Sequence, residues 1–211
     1  MSRQCCNVCE RPLKTCICAF ISKVDNDTQV FVLQHPSEVT QTKGTVALLK
    51  HSLSNIKVFV GEDFTQHADL HEALKPFLTA VYLLYPSEKS IDVTDIALKP
   101  DKLACTESST NNPKVRCLII LDGTWKKAYR IFMLNPFLHN VPHLTLPEGL
   151  SGEYVIRKTL KENALSSLEA CCYALQIIEN NSERYKPLFE NFRRFNEFQM
   201  RFRPQHHITK G

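Results

Sequence analysis

Apolar residues fall in short β-branched runs, separated by segments whose apolar positions recur at three and four. The runs at 28–34, 55–61, 80–86 and 115–121 predict strands, the third stopped by Pro86. The last is apolar at nearly every position, which predicts a central parallel strand buried on both faces. Helices are predicted at 45–53, at 65–77 up to Pro76, and from 122 to 136 with Asp122 or Thr124 near the cap. Residues 87–114 are mixed and leave room for an extra hairpin; 143–146 reads as a short strand and 147–156 as a turn and strand. Leu165, Leu168, Cys172 and Leu175 carry helical spacing across 165–179. A last helix spans 181–202. Its stripe of Tyr185, Phe189, Phe192, Phe195 and Phe202 predicts a core face, with Arg194 and Arg201 pointing the other way. Strands alternating with helices predict an α/β fold with a mostly parallel sheet.

A length of 211 residues suits one domain, or one domain with a small appendage. No apolar run approaches membrane-spanning length, so no membrane partner is expected, and the polar, Cys-rich start reads as no secretory leader. The 26 Lys and Arg against 22 Asp and Glu give a net +4, and its placement matters more than its size. Residues 1–18 carry Arg3, Arg11 and Lys14 against Glu10, and 181–211 are also basic, including Arg203. Basic ends around a near-neutral middle suit a polyanion such as RNA, with solubility as the plain alternative.

Five of the nine cysteines lie in the first 18 residues. An odd count without an export signal predicts a reducing, cytoplasmic setting. Cys117, Cys171 and Cys172 read as small buried hydrophobes, and Cys105 receives no role. Cys6-x2-Cys9 and Cys16-x-Cys18, turned by Arg11 and Pro12, can wrap one tetrahedral ion. Four thiolates with no obvious open position predict structural Zn²⁺, which would supply folding energy to a segment too short for its own core. Cys5 rivals Cys6 at a longer spacing; an iron–sulfur cluster and a set of unrelated thiols are the other readings.

In a parallel sheet, chemistry gathers at the carboxyl ends of the strands. There the chain places His35-Pro36-Ser37-Glu38, Tyr85-Pro86-Ser87 and Asp122-Gly123-Thr124-Trp125. No glycine fingerprint for a dinucleotide and no phosphate-binding P-loop is present. A triad of His35, Ser87 and Asp122 can be drawn, but no nucleophile elbow supports it.

These motifs make the family recognisable. Asp-Gly-Thr-Trp at 122–125 resembles the D-x-T-W signature of the DTW-domain family, His35-Pro36-Ser37-Glu38 its HPxE, and 154–170 its later segment with an Arg followed by Ser-Leu-Glu-Ala. The four cysteines around Arg11-Pro12 are similar to its amino-terminal element. Two departures stand out: Lys43-Gly44-Thr45 ahead of the first helix, and Lys158-Thr159-Leu160 after Arg157. The resemblance implies a tRNA-uridine aminocarboxypropyltransferase. Such an enzyme moves the 3-amino-3-carboxypropyl group of S-adenosyl-L-methionine to uridine N3 and leaves 5′-methylthioadenosine. It also implies a SPOUT-like trefoil-knotted carboxyl half of the sheet, with residues 1–24 a zinc-binding knuckle and 25–211 the catalytic domain with its carboxyl-terminal helices.

On that resemblance Asp122, Thr124 and Trp125 are the catalytic candidates. Asp122 would take the N3 proton or hold the donor's α-amino group. Leu84, Tyr85, Pro86, Ser87, Asp122, Gly123, Arg157, Ser166, Ser167 and Glu169 would bind the donor. His35, Glu38, Trp125, Arg194 and Arg201 would meet the tRNA. Monomer and homodimer both stay open, as do a SPOUT methyltransferase and a non-catalytic zinc-dependent RNA-binding protein.

Overall fold

Six consecutive buried residues make Cys117–Asp122 (β5) the centre of the sheet. The computed structural model describes residues 4–41, 44–97, 116–150 and 165–202. Around β5 it places Gln29–Gln34 (β1), Ile56–Val60 (β2), Val81–Leu84 (β3), Ile91–Asp92 (β4) and His143–Thr145 (β6). The order is β2-β1-β5-β3-β6-β4, and every ladder among the described residues is parallel. The late strand β5 therefore stands between β1 and β3, and β6 stands between β3 and β4.

Side chains alternate across the pleat and build two cores. Val30, Val32, Leu118 and Ile120 face one side. There they meet Val46–Ser52 (α1), Val93–Ala97 (α3), Ser167–Ile178 (α5) and Ser182–Met200 (α6). Phe31, Leu33, Ile119 and Leu121 face the other, under Ala68–Leu74 (α2) and Trp125–Leu134 (α4). Cys117, Cys171 and Cys172 are fully buried, as the sequence implies. Burial pushes the Cys117 thiol up to about 12 and raises Cys171 and Cys172 as well, so these thiols are inert packing.

The cysteine-rich start docks on the first core. Ile17, between Cys16 and Cys18, is 0% exposed. Phe20 packs against Phe195 and Phe198 of α6, at ring centroid distances of 5.8 and 5.2 Å.

Several local expectations change. Ile91 pairs in parallel with Leu144, so residues 91–97 form an edge strand and a short helix, and the remainder of the stretch expected to hold an extra hairpin, 98–114, lies outside the described residues. Pro76 does not end the helix cleanly: α2 stops at Leu74, and Lys75–Phe77 continue as a 3-10 turn. Thr124 caps α4, while Asp122 ends β5. Phe202 is 51% exposed and meets Phe198 edge-on, outside the buried stripe, because α6 ends at Met200. The strand expected within 147–156 lies mostly outside the described residues. No helix among the described residues is long and apolar enough to cross a membrane.

The burial of Ile17 is testable. Ile17→Ala is expected to destabilise the protein by about 2–5 kcal/mol in urea unfolding. A change below ~0.5 kcal/mol would mean that the amino-terminal segment does not share this core.

Candidate functional site

The carboxyl ends of β3, β5 and β6 open into a cleft of about 580 Å3. Leu84, Tyr85 and Pro86 form one wall after β3, and Leu144 to Leu150 form a second after β6. Gly123, Trp125 and Ala128 come from the β5–α4 turn, and Leu165, Ser166, Ser167 and Ala170 from the start of α5. The size suits a cofactor-sized molecule, and the lining is mostly apolar with few polar groups, as ligand sites usually are.

Asp122 sits directly behind this lining, between the lining residues Leu121 and Gly123, and is 5% exposed. Its register partner on β1 is Gln34, whose Nε2 donates to Oδ2 at 2.9 Å. Ser167 Oγ donates to Oδ1 at 2.6 Å. One carboxylate thus ties β1, β5 and the first turn of α5 together. Gly123 lets the turn close, since a Cβ there would lie 2.9 Å from Lys127 Cβ. Thr124 Oγ1 accepts from Lys127 N at 3.4 Å as the cap of α4. Trp125, the first residue of that helix, lines the cleft and is 59% exposed, so it does not close a core beneath the loop.

Ser166 and Glu169 form a reciprocal cap of α5. Ser166 N donates to Glu169 Oε2 at 2.8 Å, and Glu169 N donates to Ser166 Oγ at 3.2 Å. Glu169 is buried in that cap and does not line the cleft.

The loop after β1 stands beside the DGTW turn, because His35 N donates to the Asp122 carbonyl at 3.0 Å. His35 Nε2 lies 2.7 Å from Glu62 Oε1, and Arg130 Nε lies 2.5 Å from Glu62 Oε2. The Arg130 hydrogen bond is the main cause that holds the Glu62 carboxyl below its ordinary value. Lys127 Nζ meets Glu38 Oε1 at 2.7 Å. His35 and Glu38 brace the two loops and do not line the cleft.

Ser87 Oγ lies 2.8 Å from His143 Nδ1, and His143 Nε2 lies 2.9 Å from the Leu138 carbonyl. A carbonyl only accepts, so Nε2 carries the hydrogen and Nδ1 accepts from Ser87. The triad of His35, Ser87 and Asp122 is therefore not assembled: each contacts a different partner. Arg194 and Arg201 lie exposed on α6, away from the lining. Arg157 lies outside the described residues.

Sequence reasoning missed the wall from Thr145 to Leu150, with Glu148 as a lining carboxylate and Gly149 at φ +86°. Its signal was available: Pro147 and Gly149 punctuate a loop that follows a parallel strand. Gln34 was missed because only register places it opposite Asp122.

The amino-terminal sulfurs of Cys6, Cys9, Cys16 and Cys18 all lie within 4.8 Å of one another. The short contacts run crosswise, Cys6 to Cys18 at 3.6 Å and Cys9 to Cys16 at 3.7 Å. A tetrahedron with metal–sulfur bonds of about 2.3 Å has edges of about 3.8 Å, so the four sulfurs fit one ion. Cys5 is exposed, bridges to Pro12 and stands outside the cluster, which settles its rivalry with Cys6. The knuckle turns through Glu10 at φ 57°, with Cys6 N donating to the Arg11 carbonyl at 2.8 Å. Backbone hydrogen bonds, first from Cys9 and then from Val8, lower the Cys6 thiol to about 6, while burial leads the rise of Cys18 to about 12.

A family model described as DTW domain matches residues 3–200. The tRNA-uridine aminocarboxypropyltransferase 2 of Macaca fascicularis is 28% identical over 209 residues, covering 97% of this chain and 66% of that protein. Its Mus musculus counterpart is 26% identical over 209 residues, with the same two coverages of 97% and 66%. The Drosophila melanogaster protein of that name is 29% identical over 185 residues, 84% of this chain and 68% of that protein. The chain spans about two thirds of the length of these relatives. No solved structure matches it significantly.

Elemental analysis is expected to find about one metal ion per chain, and Cys9→Ser to lose it; equal metal content in the variant would refute the cluster. In metal-free protein Cys6 is expected to be alkylated first at pH 7, with labelling falling as pH drops through about 6. The folded value lies below the ordinary 9.0, so this thiolate favours the folded state above about pH 9 and that contribution fades as pH falls through about 6.

Proposed function

The chain belongs to the DTW-domain family, and from that membership we propose that it transfers the 3-amino-3-carboxypropyl group of S-adenosyl-L-methionine to N3 of a tRNA uridine. The observation that carries the reading is the cleft at the strand ends, walled by the DGTW turn, the β3 loop and the start of α5. In the reaction, a bond forms between N3 and the γ-carbon of the donor's methionine chain. The bond from that carbon to the sulfonium breaks, and 5′-methylthioadenosine leaves with the electron pair. N3 gives up its proton to water, so the single positive charge of the sulfonium leaves as that proton. The sulfonium has three electrophilic carbons, so the enzyme selects by orientation: the γ-carbon must stand in line with N3.

Leu84, Tyr85, Pro86 and Gly123 supply the adenosine side of the cleft, and Ser166 and Ser167 the methionine side. Trp125 offers an exposed ring for stacking on a base. Both oxygens of Asp122 already accept hydrogen bonds, from Gln34 and Ser167, so its charge is fixed in place. We assign that charge to the donor's cationic α-amino end, the anchoring role of the two that the sequence leaves open. Ser87 and Glu169 support the donor site through the loops they hold, and Arg157 is assigned to the donor's carboxylate. His35 and Glu38 set the uridine side by bracing the HPSE loop, and the basic ends with Arg194 and Arg201 serve phosphates.

The four sulfurs are assigned Zn²⁺ in a structural role, supported by their spacing and thiol chemistry. Residues 1–24 are proposed as a zinc knuckle docked on a catalytic domain of 25–211. A SPOUT-like trefoil knot in the carboxyl half belongs to the same proposal, supported by the insertion of β5 and β6 between earlier strands. A reducing, cytoplasmic setting belongs to it as well, supported by the buried thiols of Cys117, Cys171 and Cys172.

Incubation with donor and unmodified tRNA is expected to release 5′-methylthioadenosine, identified by mass spectrometry. S-adenosylhomocysteine would instead mark a methyltransferase, and no turnover with retained tRNA binding a non-catalytic RNA-binding protein. Asp122→Asn is expected to keep the circular dichroism of the wild type and to lose transfer by about 100-fold. A normal rate would remove Asp122 from the site.

A further inference from the structure

One apolar face is left over after the two cores and the cleft are built. Trp125, Tyr129 and Met133 recur at every fourth position of α4 and are 59%, 56% and 50% exposed. They lie along one side of the helix, about 6 Å apart per step. An amphipathic helix normally turns such residues inward, and α4 does so with Ala128 and Ile131. The exposed stripe is therefore an addition to what packing needs. It starts at the cleft itself, because Trp125 lines it. The helix carries Lys126, Lys127 and Arg130 and no acidic residue. The carboxylates that face it come from other elements: Glu38 pairs with Lys127, and Glu62 with Arg130. Lys126 adds a further positive charge on the exposed side.

Exposed aromatic rings in series, next to cations, make a platform on which successive bases of a single strand can stack. Resting on the tRNA-uridine transferase reading, we infer that this face of α4 takes the unpaired nucleotides next to the target uridine, with Tyr129 stacking the first base outside the cleft. Exposed Lys126 and the lack of any acidic residue on α4 favour RNA over a second copy of the chain, whose α4 would bring the same positive charge. The face is continuous with the place where the uridine must react, because Trp125 both lines the cleft and begins the exposed stripe that Tyr129 continues.

Trp125 is the chain's only tryptophan, so its emission reports on this face. The cleft is first saturated with 5′-methylthioadenosine, and unmodified tRNA transcript is then titrated in. The transcript is expected to quench Trp125. Tyr129→Ala is expected to weaken tRNA about 10-fold and Tyr129→Phe to bind nearly as wild type, with donor affinity by calorimetry the same in all three. Unchanged tRNA affinity in Tyr129→Ala and in a Tyr129→Ala, Met133→Ala double variant would overturn the inference. So would a change of mass in that double variant by light scattering, from dimer to monomer, with tRNA affinity intact; the face would then join two copies. Wild-type protein that binds tRNA through this face and yet releases no 5′-methylthioadenosine would sink the transferase reading and leave the surface standing.

Discussion

A carboxylate that is 5% exposed must have its hydrogen bonds supplied by the protein, and among the described residues Asp122 draws them from both a strand and a helix. Gln34 reaches it from β1 and Ser167 from α5. Hydrogen bonds to charged groups are worth about 1.5–3 kcal/mol each, so the strand end and the helix start are held by more than apolar contact. The cleft depends on this. Gly123 and Trp125 follow Asp122 directly in sequence, and Ser167 with Ser166 beside it is tied to its carboxylate from α5, so Asp122 fixes the separation of these two sides of the cleft. The capping box of Ser166 and Glu169 then sets the direction in which α5 leaves. The HPSE loop is drawn to the same point by the hydrogen bond from His35 to the Asp122 carbonyl.

Much of this was legible in the chain. The apolar run at 115–121 announced a strand buried on both faces, and the structure buries all six residues of β5. The cysteine spacing announced a four-sulfur cluster, and those four sulfurs converge. What could not be read depends on register and on long-range order. Nothing near Gln34 in sequence says that it will stand opposite Asp122. Nothing in Ser87 says that it will turn to His143 rather than to a ligand. The sequence after β6 suggests a turn and strand and no cleft wall, because that role arises only when β6 takes its place beside β3. Side chains expected to face a ligand, such as Glu38 and Glu169, are used instead to hold loops and helix ends. Polar groups at strand ends serve both purposes with the same chemistry, so residue type alone does not separate them.

The knuckle shows how a segment too short for its own core can still be ordered. Four sulfurs converge at the distances one ion requires, and Ile17, between two of them, is driven into the main core. The sulfur contacts hold the knuckle's shape while Ile17 and Phe20 hold its position. Exposed Lys14 is thereby carried on a platform docked against the main core.

The strand order has a consequence for how the chain folds as it is made. β1, β2 and β3 emerge from the ribosome first, yet β1 and β3 are not neighbours; β5 stands between them. Until residue 122 has been synthesised, the middle of the sheet is a gap one strand wide, with unpaired backbone on both sides. The same holds again for β6 between β3 and β4. Pairing at such sequence separation is slow, because loop closure precedes the contacts that reward it. The amino-terminal half is thus a nascent sheet with open inner edges, which a chaperone would find exposed until the last third of the protein arrives.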